Sequence, residues 1–327
     1  MLRIATIGTS AITEKFLNAN KLARVFNHTL VFSRNRETAQ EFALKVGCAH
    51  ICTNLEKMAK REDFDAVYIA SPNALHYSQS RLFLKGGKHV LCEKTITSSA
   101  REYKKLKRLA RRKGLVYMEA MMSVNSEGFK HLVSAVAECG KINGAVIDFS
   151  QRSSRLDDFL AGKHCNIFDM SLKAGALMDL GIYSVYMAVA LFGVPQRIKA
   201  DSQLLSNGAD SSGKAIFRYK DFDCTVKYSK TADALKPSKI EGEKASVLID
   251  SVSQCAGISF ENKEKHEIFP IPSRSEIMAG EIKNFAMFIN GENLDEYKKL
   301  GGLALNVQRC MDKIKKSAKL KYPKIKR

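Results

Sequence analysis

The fold is decided by residues 2–13, which read LRIATIGTSAIT. An apolar run of strand length, residues 2–7, is followed directly by Gly8 and by small hydroxyl residues, and residues 12–24 then have the pattern of a helix. A strand, a tight glycine turn and a helix form the first βα unit of nucleotide-binding sheets, in which the helix N-terminus faces a phosphate. This stretch therefore predicts a dinucleotide site at the edge of a parallel sheet.

The alternation of strand and helix patterns continues to about residue 120. Further apolar runs of strand length lie at residues 28–33, 50–52, 66–70, 89–92 and 115–118. Apolar strands that alternate with helices form a parallel sheet covered on both faces, with right-handed crossovers. Residues 1–120 are therefore predicted to be a doubly wound, Rossmann-type dinucleotide-binding domain of the α/β class.

The pattern changes after about residue 123. A helical pattern at residues 175–192 is followed, between residues 196 and 260, by alternating strand patterns with no helix between them, and helices are predicted again at residues 274–289 and 294–318. Residues 121–327 are therefore predicted to be an α+β substrate-binding domain with a large, open, mostly antiparallel sheet. Because its own helices would cover only one face, we expect a second subunit on the other, in a homodimer or homotetramer.

The chain is strongly basic, with 53 Lys and Arg against 34 Asp and Glu and a net charge of +19. Such a charge favours anionic partners, including nucleic acid, phosphorylated cofactors and acidic substrates. The basic residues are concentrated at 101–113 and 313–327, where an apolar stripe of helical spacing faces inward and aromatic residues for base stacking do not alternate with the charges. We interpret both runs as solvated helix faces, with nucleic-acid binding as the alternative.

The cysteine spacing indicates the cellular compartment and whether a metal site is present, and the hydropathy pattern indicates whether the chain has a membrane anchor. The eight cysteines are scattered without a C-x-x-C pair, which is typical of reduced thiols in a cytoplasmic protein. Cys48, His50 and Cys52 alternate on one face of a short strand, but no second ligand cluster follows, so no metal site is predicted. The apolar stretch 180–194 is shorter than the roughly 20 residues that cross a bilayer, and residues 1–30 lack a signal-peptide pattern, so no membrane anchor is expected.

The glycine turn departs from the dinucleotide fingerprint G-x-G-x-x-G, since Ser10 and Thr13 occupy the second and third glycine positions. Small hydroxyl residues still permit a close approach of the pyrophosphate, and their hydroxyls can bond phosphate oxygens at the positive helix terminus. The cofactor-binding residues predicted in this turn are Gly8, Thr9, Ser10, Ala11 and Ile12.

The end of the second strand indicates which dinucleotide is bound. A carboxylate there would bond the ribose 2′-hydroxyl of NAD, but this chain has Ser33 and Arg34, followed by Arg36. Guanidinium groups suit a 2′-phosphate, so NADP(H) is the predicted cofactor and NAD(H) the alternative. Arg36 also fits an exposed loop residue without a ligand.

Two further segments follow strands at the edge where doubly wound sheets bind ligands: SPNALH at residues 71–76 and CEKT at residues 92–95. With the Gly8 turn they resemble the Gfo/Idh/MocA oxidoreductases, whose hallmarks include "TPN/SPN…H" and "EKP". A third segment, AGALMDLGIY at residues 174–183, is similar to that family's "GGGxxxDxGxH". The resemblance adds to the predicted cofactor site Ser71, Pro72, Asn73, His76, Glu93 and Lys94.

The same resemblance implies that Lys94, Asp179 and Tyr183 are catalytic. Oxidation of a carbinol carbon requires a proton acceptor beside the hydroxyl, and an ammonium close to a tyrosine favours the phenolate that can take this role. Asp179 and Tyr183 are four residues apart, so on a helix they would share a face. Tyrosine where most relatives carry histidine is similar to the dihydrodiol dehydrogenase branch, which is NADP-dependent and dimeric. Without the resemblance, Tyr183 also fits a core aromatic residue.

Two departures from the family pattern bear on activity. Thr95 replaces the proline that follows the lysine, which is expected to remove a rigid and often cis bond. Val124 stands where arginine is usual in the segment "EAxxxR". Arg152 and Arg155 could supply replacement charge, or they are surface residues.

These observations predict an NADP(H)-dependent oxidoreductase that transfers a hydride between nicotinamide and a hydroxyl or carbonyl carbon. The expected substrate is a sugar, a polyol or a cyclic diol. The alternative is a catalytically silent NAD(P)-binding regulatory protein of the same fold, which the changes at Thr95 and Val124 favour and the presence of Lys94 and Tyr183 opposes.

Overall fold

The computed structural model describes residues 1–323. The chain divides into two units, one formed by residues 1–121 and 273–302, the other by residues 122–272 and those from 303 onward. Residues 273–302 thus return to the first unit, although the sequence pattern placed them in the second domain. A helical pattern shows where a helix lies but not what it packs against. Residues 324–327 of the predicted basic run lie outside the described residues.

Within the described residues, the first unit is built on a parallel sheet of six strands in the order β3-β2-β1-β4-β5-β6. The strands are β1 (Leu2–Ile7), β2 (Phe26–Phe32), β3 (Ile51–Cys52), β4 (Ala66–Ile69), β5 (His89–Glu93) and β6 (Tyr117–Ala120). The helices between them are α1 (Ala11–Ala23), α2 (Arg36–Val46), α3 (Leu55–Ala59), α4 (Asn73–Lys85) and α5 (Ala100–Lys113). The strand order reverses between β1 and β4, which is the point where doubly wound sheets bind ligands. The Rossmann prediction is confirmed.

Apolar packing explains why these segments fold as they do. Phe16 of α1 is fully buried and stacks on Tyr68 of β4 with ring centroids 3.8 Å apart. In α5 the apolar stripe is buried, including Tyr103 and Leu106, while the basic residues on its other side are mostly exposed. The basic run at residues 101–113 therefore forms the outer face of an amphipathic helix.

The second unit contains an eight-stranded sheet in the part of the chain described, in the order β14-β13-β12-β11-β7-β10-β9-β8. Its strands are β7 (Ile142–Ser150), β8 (Arg197–Leu204), β9 (Asp210–Arg218), β10 (Asp223–Ser229), β11 (Ser238–Gly242), β12 (Ser246–Ser251), β13 (Ala256–Glu261) and β14 (His266–Ile268). Only β7 and β10 pair in parallel; the other neighbours are antiparallel. The mostly antiparallel sheet is confirmed, and β14 is a short edge strand that the sequence pattern did not predict.

The remaining α-helices within residues 1–323 are α6 (Glu127–Glu138), α7 (Leu156–Leu160), α8 (Ile182–Phe192), α9 (Arg274–Ile289) and α10 (Leu294–Ser317). Of these, α9 packs against α1 in the first unit, and α8 packs against β7 and β10 in the second. The helix predicted at residues 175–192 is present, and its first part is a π-helical turn, Leu177–Gly181, that runs directly into α8. The stretch Met170–Phe192 is long and apolar enough to cross a membrane, but 78% of its most apolar window is buried, as in a helix at the core of a folded unit.

Candidate active site

The glycine turn after β1 is fixed by backbone geometry. Gly8 has a φ of 108°, and a Cβ atom at this position would lie 2.6 Å from the carbonyl oxygen of Ala70. Both the positive φ and the close approach therefore require glycine. Thr9 is half-buried in this turn, and Ala11 and Ile12 form the first residues of α1.

The two hydroxyl residues of the turn have different surroundings. Ser10 precedes α1 and is exposed, so its hydroxyl and the helix N-terminus can face a phosphate. Thr13 is fully buried, and its hydroxyl lies on the Gly8 side of the helix. Thr13 therefore serves the close packing of helix and strand, and its hydroxyl is not available to a phosphate.

Ser33 and Arg34 directly follow β2, which pairs with β1 in the sheet. Ser33 is half-buried, whereas Arg34 and Arg36 are exposed, and neither arginine forms an ion pair within residues 1–323. The charge at this strand end is thus available to an anionic ligand, which fits the phosphate of a dinucleotide.

The segment after β4 is tied to the segment after β5 by His76. Ser71, Pro72 and Asn73 are half-buried where α4 begins, but His76 is fully buried. Its Nδ1 lies 2.9 Å from the carbonyl oxygen of Thr95 and its Nε2 lies 2.7 Å from that of Ser71. Burial lowers the pKa of His76, and the two carbonyl oxygens oppose this effect. His76 therefore holds two ligand-edge loops together from inside the fold.

Lys94 follows β5 in a loop that two buried carboxyl groups brace. Glu93 accepts a hydrogen bond from the Tyr68 hydroxyl at 2.5 Å and another from the backbone N–H of Lys94 at 3.2 Å. Glu119, at the end of β6, accepts one from the backbone N–H of Ile96 at 2.9 Å. Burial raises the pKa of Glu93, while its bond to Tyr68 lowers it. The half-buried Lys94 thus stands on a backbone that is fixed on both sides.

The structure shows what surrounds the residues that depart from the family pattern, Thr95 and Val124, and the two arginines that could supply replacement charge. The peptide bond between Lys94 and Thr95 is cis, so the expectation that threonine removes this geometry is wrong. Val124 is buried. Arg152 pairs with Asp157 at 2.7 Å and Arg155 with Asp158 at 3.3 Å. The positive charge of each arginine is therefore balanced by an aspartate of the same exposed segment.

Asp179 and Tyr183 lie on consecutive helical turns of the second unit. Asp179 belongs to the π-helical turn and Tyr183 to the first turn of α8. Tyr183 is 8% exposed, and its ring packs edge-on against Phe149 of β7, with centroids 5.5 Å apart. Asp179 accepts a hydrogen bond at 2.5 Å from Nζ of Lys230, which directly follows β10.

Asp210, the first residue of β9, caps the start of this helix. Its carboxylate accepts a hydrogen bond from the backbone N–H of Leu177 at 2.5 Å and one from the Tyr322 hydroxyl at 3.3 Å. A Cβ atom on Gly175, which has a φ of 135°, would collide with this carboxylate. Burial raises the pKa of Asp210 to about 6, and the Leu177 N–H opposes the shift. The glycine of the third motif therefore makes room for the residue that caps the helix.

The predicted cofactor residues, with Lys94, are thus gathered at the carboxyl ends of β1, β2, β4 and β5, while Asp179 and Tyr183 belong to the second unit. Sequence reasoning did not find Lys230 or Asp210, because each reaches the helix from a strand distant in sequence. In residues 1–323, no group of three or more His, Cys, Asp or Glu side chains could hold a metal ion. The Cys48 and Cys52 thiols donate instead to the backbone carbonyls of His50 and Asn54.

Comparisons with known proteins agree with this architecture. The chain is 36% identical over 324 residues to a scyllo-inositol 2-dehydrogenase (NADP(+)) of Bacillus subtilis, covering 99% of each chain. It is 28% identical over 250 residues to the rabbit (Oryctolagus cuniculus) trans-1,2-dihydrobenzene-1,2-diol dehydrogenase, covering 74% of this chain and 72% of the relative. A 3-ketoreductase from Actinomadura kijaniata, solved with NADP and TDP-benzene, shares the fold with a TM-score of 0.85 at 20% identity over 97% of each chain.

Two family models match the two parts of the chain. Residues 2–121 match the model described as an oxidoreductase family with an NAD-binding Rossmann fold. Residues 133–248 match the model of the GFO/IDH/MocA C-terminal domain. The chain therefore belongs to the Gfo/Idh/MocA family of oxidoreductases, as its three motifs indicated.

Proposed function

We propose that this oxidoreductase uses NADP(H) to interconvert a hydroxyl and a carbonyl group on a sugar, a polyol or a cyclic diol. The observation that carries the proposal is the loop of Lys94, which Glu93, His76 and Glu119 fix from three sides. A regulatory protein that only binds the nucleotide has no need of a lysine whose backbone is fixed this firmly at the ligand edge of the sheet. The named substrates of the relatives, an inositol and a cyclic diol, support the substrate class.

The protein side chains handle the proton in this proposal. The bound dinucleotide supplies or accepts the hydride. In the oxidative direction the Tyr183 phenolate takes the proton of the substrate hydroxyl, and in the reductive direction the phenol returns it to the carbonyl oxygen. The Lys94 ammonium favours the phenolate, and the Asp179 carboxylate orients the substrate by accepting a hydrogen bond from a hydroxyl.

The preference for NADP(H) is proposed from Arg34. It is exposed after β2 and has no ion-pair partner in the described chain, and no carboxylate stands at this strand end to bond a ribose 2′-hydroxyl. A guanidinium group binds a 2′-phosphate well. The Bacillus relative is also named for NADP(+).

The open face of the second sheet supports an assembly of two or four copies. Successive side chains of β7 point to opposite faces of the sheet. Phe149 therefore lies against Tyr183 of α8, whereas Val146 points to the other face and is 41% exposed. A groove of 920 Å³ lies on this face, and Leu235 beside it is 97% exposed. We propose that a second copy covers it, and light scattering of the wild type and of Val146→Glu tests this.

The eight free thiols of the described chain support a cytoplasmic location.

The function is tested first by titrating the protein with NADPH and NADH while following nicotinamide fluorescence. We expect much tighter binding of NADPH, and then turnover of at least one member of a panel that includes scyllo-inositol, aldoses and cyclic trans-diols. Binding without any turnover would favour the regulatory alternative. A protein that binds neither nucleotide would contradict both.

A further inference from the structure

Lys230 is a buried cation that is paired with a carboxylate. It is 3% exposed, and its Nζ donates to Oδ2 of Asp179 at 2.5 Å. The same Nζ lies 5.6 Å from the centre of the Phe168 ring, and the backbone N–H of Lys230 donates to the carbonyl of Ser211 at 2.8 Å. An ammonium group this deeply buried is stable only when it is paired, so the contact with Asp179 is an essential part of its surroundings.

The two members of this pair differ in exposure. The Lys230 side chain is 4% exposed, whereas the Asp179 side chain is 38% exposed. The ammonium group therefore holds the carboxylate from inside the unit, and the accessible side of the pair is the carboxylate. Lys230 is too deeply buried to touch a substrate itself, so any effect on the reaction has to act through Asp179.

We propose that Lys230 is the positioning residue for Asp179. It fixes the carboxylate at one oxygen and balances its charge, so that Asp179 accepts a hydrogen bond from a hydroxyl of a neutral substrate without presenting a net negative charge. This inference rests on the proposed function, in which Asp179 orients a hydroxylated substrate. The fully buried Phe168 ring near the ammonium group also limits its access to water, which favours its pairing with the carboxylate.

A double-mutant cycle separates positioning from a structural role. We compare Lys230→Met, Asp179→Asn and the double variant with Lys315→Met, a matched control. Lys315 is 14% exposed and pairs at 2.9 Å with Asp312, which is 39% exposed, on α10. For each protein we measure kcat and KM, the Kd for NADPH, and the urea midpoint of unfolding.

A displaced orienting group costs on the order of 100-fold in rate, so we expect Lys230→Met to lose about tenfold to 100-fold in kcat/KM. The double variant should be no slower than Asp179→Asn, because the lysine acts only through the aspartate. The Kd for NADPH should stay unchanged throughout, and Lys315→Met should keep the wild-type kcat/KM even if its urea midpoint falls. Wild-type kcat/KM in Lys230→Met, or losses that multiply in the double variant, would overturn the proposal.

A second measurement does not depend on turnover. In protein labelled with ¹⁵N-lysine, the ammonium of Lys230 should give a signal protected from solvent exchange, absent in Lys230→Met and lost in Asp179→Asn. A wild-type protein that turns over nothing in the panel would refute the proposed function, and the ammonium signal would still decide whether Asp179 holds Lys230. A protected signal that persists in Asp179→Asn would overturn the positioning role.

Discussion

The loop of Lys94 and the helix of Asp179 and Tyr183 are both fixed by buried polar side chains, but the two regions obtain these contacts differently. The loop stands at the carboxyl edge of a parallel sheet, and Glu93, the residue before Lys94, is itself one of its supports. The helix is capped by Asp210, 33 residues from Leu177, and Asp179 is held by Lys230, 51 residues away. A parallel sheet gathers its functional loops at one edge by topology, whereas the helix of Asp179 and Tyr183 is held in place by two contacts from strands distant in sequence.

The chemistry of the supports differs as well. Neutral donors, a tyrosine hydroxyl and backbone N–H groups, hold the carboxyl groups around Lys94. The carboxylate of Asp179 is held by an ammonium group. The first arrangement fixes the backbone of Lys94 through uncharged donors, and the second balances the charge of Asp179 with an ammonium group. Variants in the two regions should therefore fail in different ways.

The largest expected effect is on turnover, through the two residues that we propose handle the proton. Lys94→Ala and Tyr183→Phe should each lower kcat by about 1000-fold, since general acid–base groups contribute 100-fold to 10,000-fold. The Kd for NADPH should change little, because neither variant alters the glycine turn or Arg34. Steady-state rates and nucleotide titrations check this, with the exposed Lys85→Ala as the control. Wild-type rates in both variants would remove these residues from the mechanism.

Asp210, which caps the helix of Asp179, should make the free energy of unfolding depend on pH. Burial raises the pKa of Asp210 from 3.8 to about 6. The folded protein therefore keeps a proton that the unfolded chain releases, so this group's stabilising contribution is complete below pH 3.8 and is lost as the pH rises through 6. At about 1.4 kcal/mol for each unit, the whole change is about 3 kcal/mol.

Asp210→Asn isolates this contribution, because asparagine has a similar shape and does not titrate. Urea unfolding of both proteins between pH 4.5 and 7.5 should show the variant gaining stability relative to the wild type as the pH rises towards 7. A stability difference that is the same at every pH would mean that Asp210 does not titrate in this window. The helix of Asp179 would then be capped by an ordinary ionised carboxylate.

These two regions also mark how much the sequence could predict. The parallel sheet and the ligand edge of the first unit follow from the alternation of apolar runs and helices, and the Gly8 turn indicated the edge itself, whereas the strand order did not follow from the pattern. Lys230 and Asp210 gave no such signal, since a single Lys in a chain with 53 basic residues and a single Asp at a strand start have no local pattern. The cis peptide bond between Lys94 and Thr95 was not predicted, because proline is the only residue whose presence in a sequence indicates a cis bond.

The glycine turn of the first region should be sensitive to a single methyl group. Gly8→Ala places Cβ 2.6 Å from the Ala70 carbonyl, so the turn has to move and the affinity for NADPH should fall on the order of 100-fold. Gly47→Ala is the control: its φ of 72° is also positive, but nothing lies within 4 Å of the new Cβ. It should lose about 1 kcal/mol of stability and keep nucleotide affinity. Equal affinities in the two variants would mean that the turn does not hold the pyrophosphate.

The smallest effect concerns the choice between nucleotides, since it depends on one exposed side chain. Arg34→Ala should weaken NADPH about tenfold, the contribution of one solvated charge-assisted contact, and leave NADH unchanged because NADH lacks the 2′-phosphate. Parallel fluorescence titrations of the wild type, Arg34→Ala and Arg36→Ala measure this, with Arg36 as the neighbouring exposed arginine that fits a loop residue without a ligand. Equal losses for both nucleotides would mean that Arg34 supports the fold of the strand end instead. A loss confined to Arg36→Ala would move the phosphate contact from the loop to the first turn of α2, where the helix N-terminus also favours an anion.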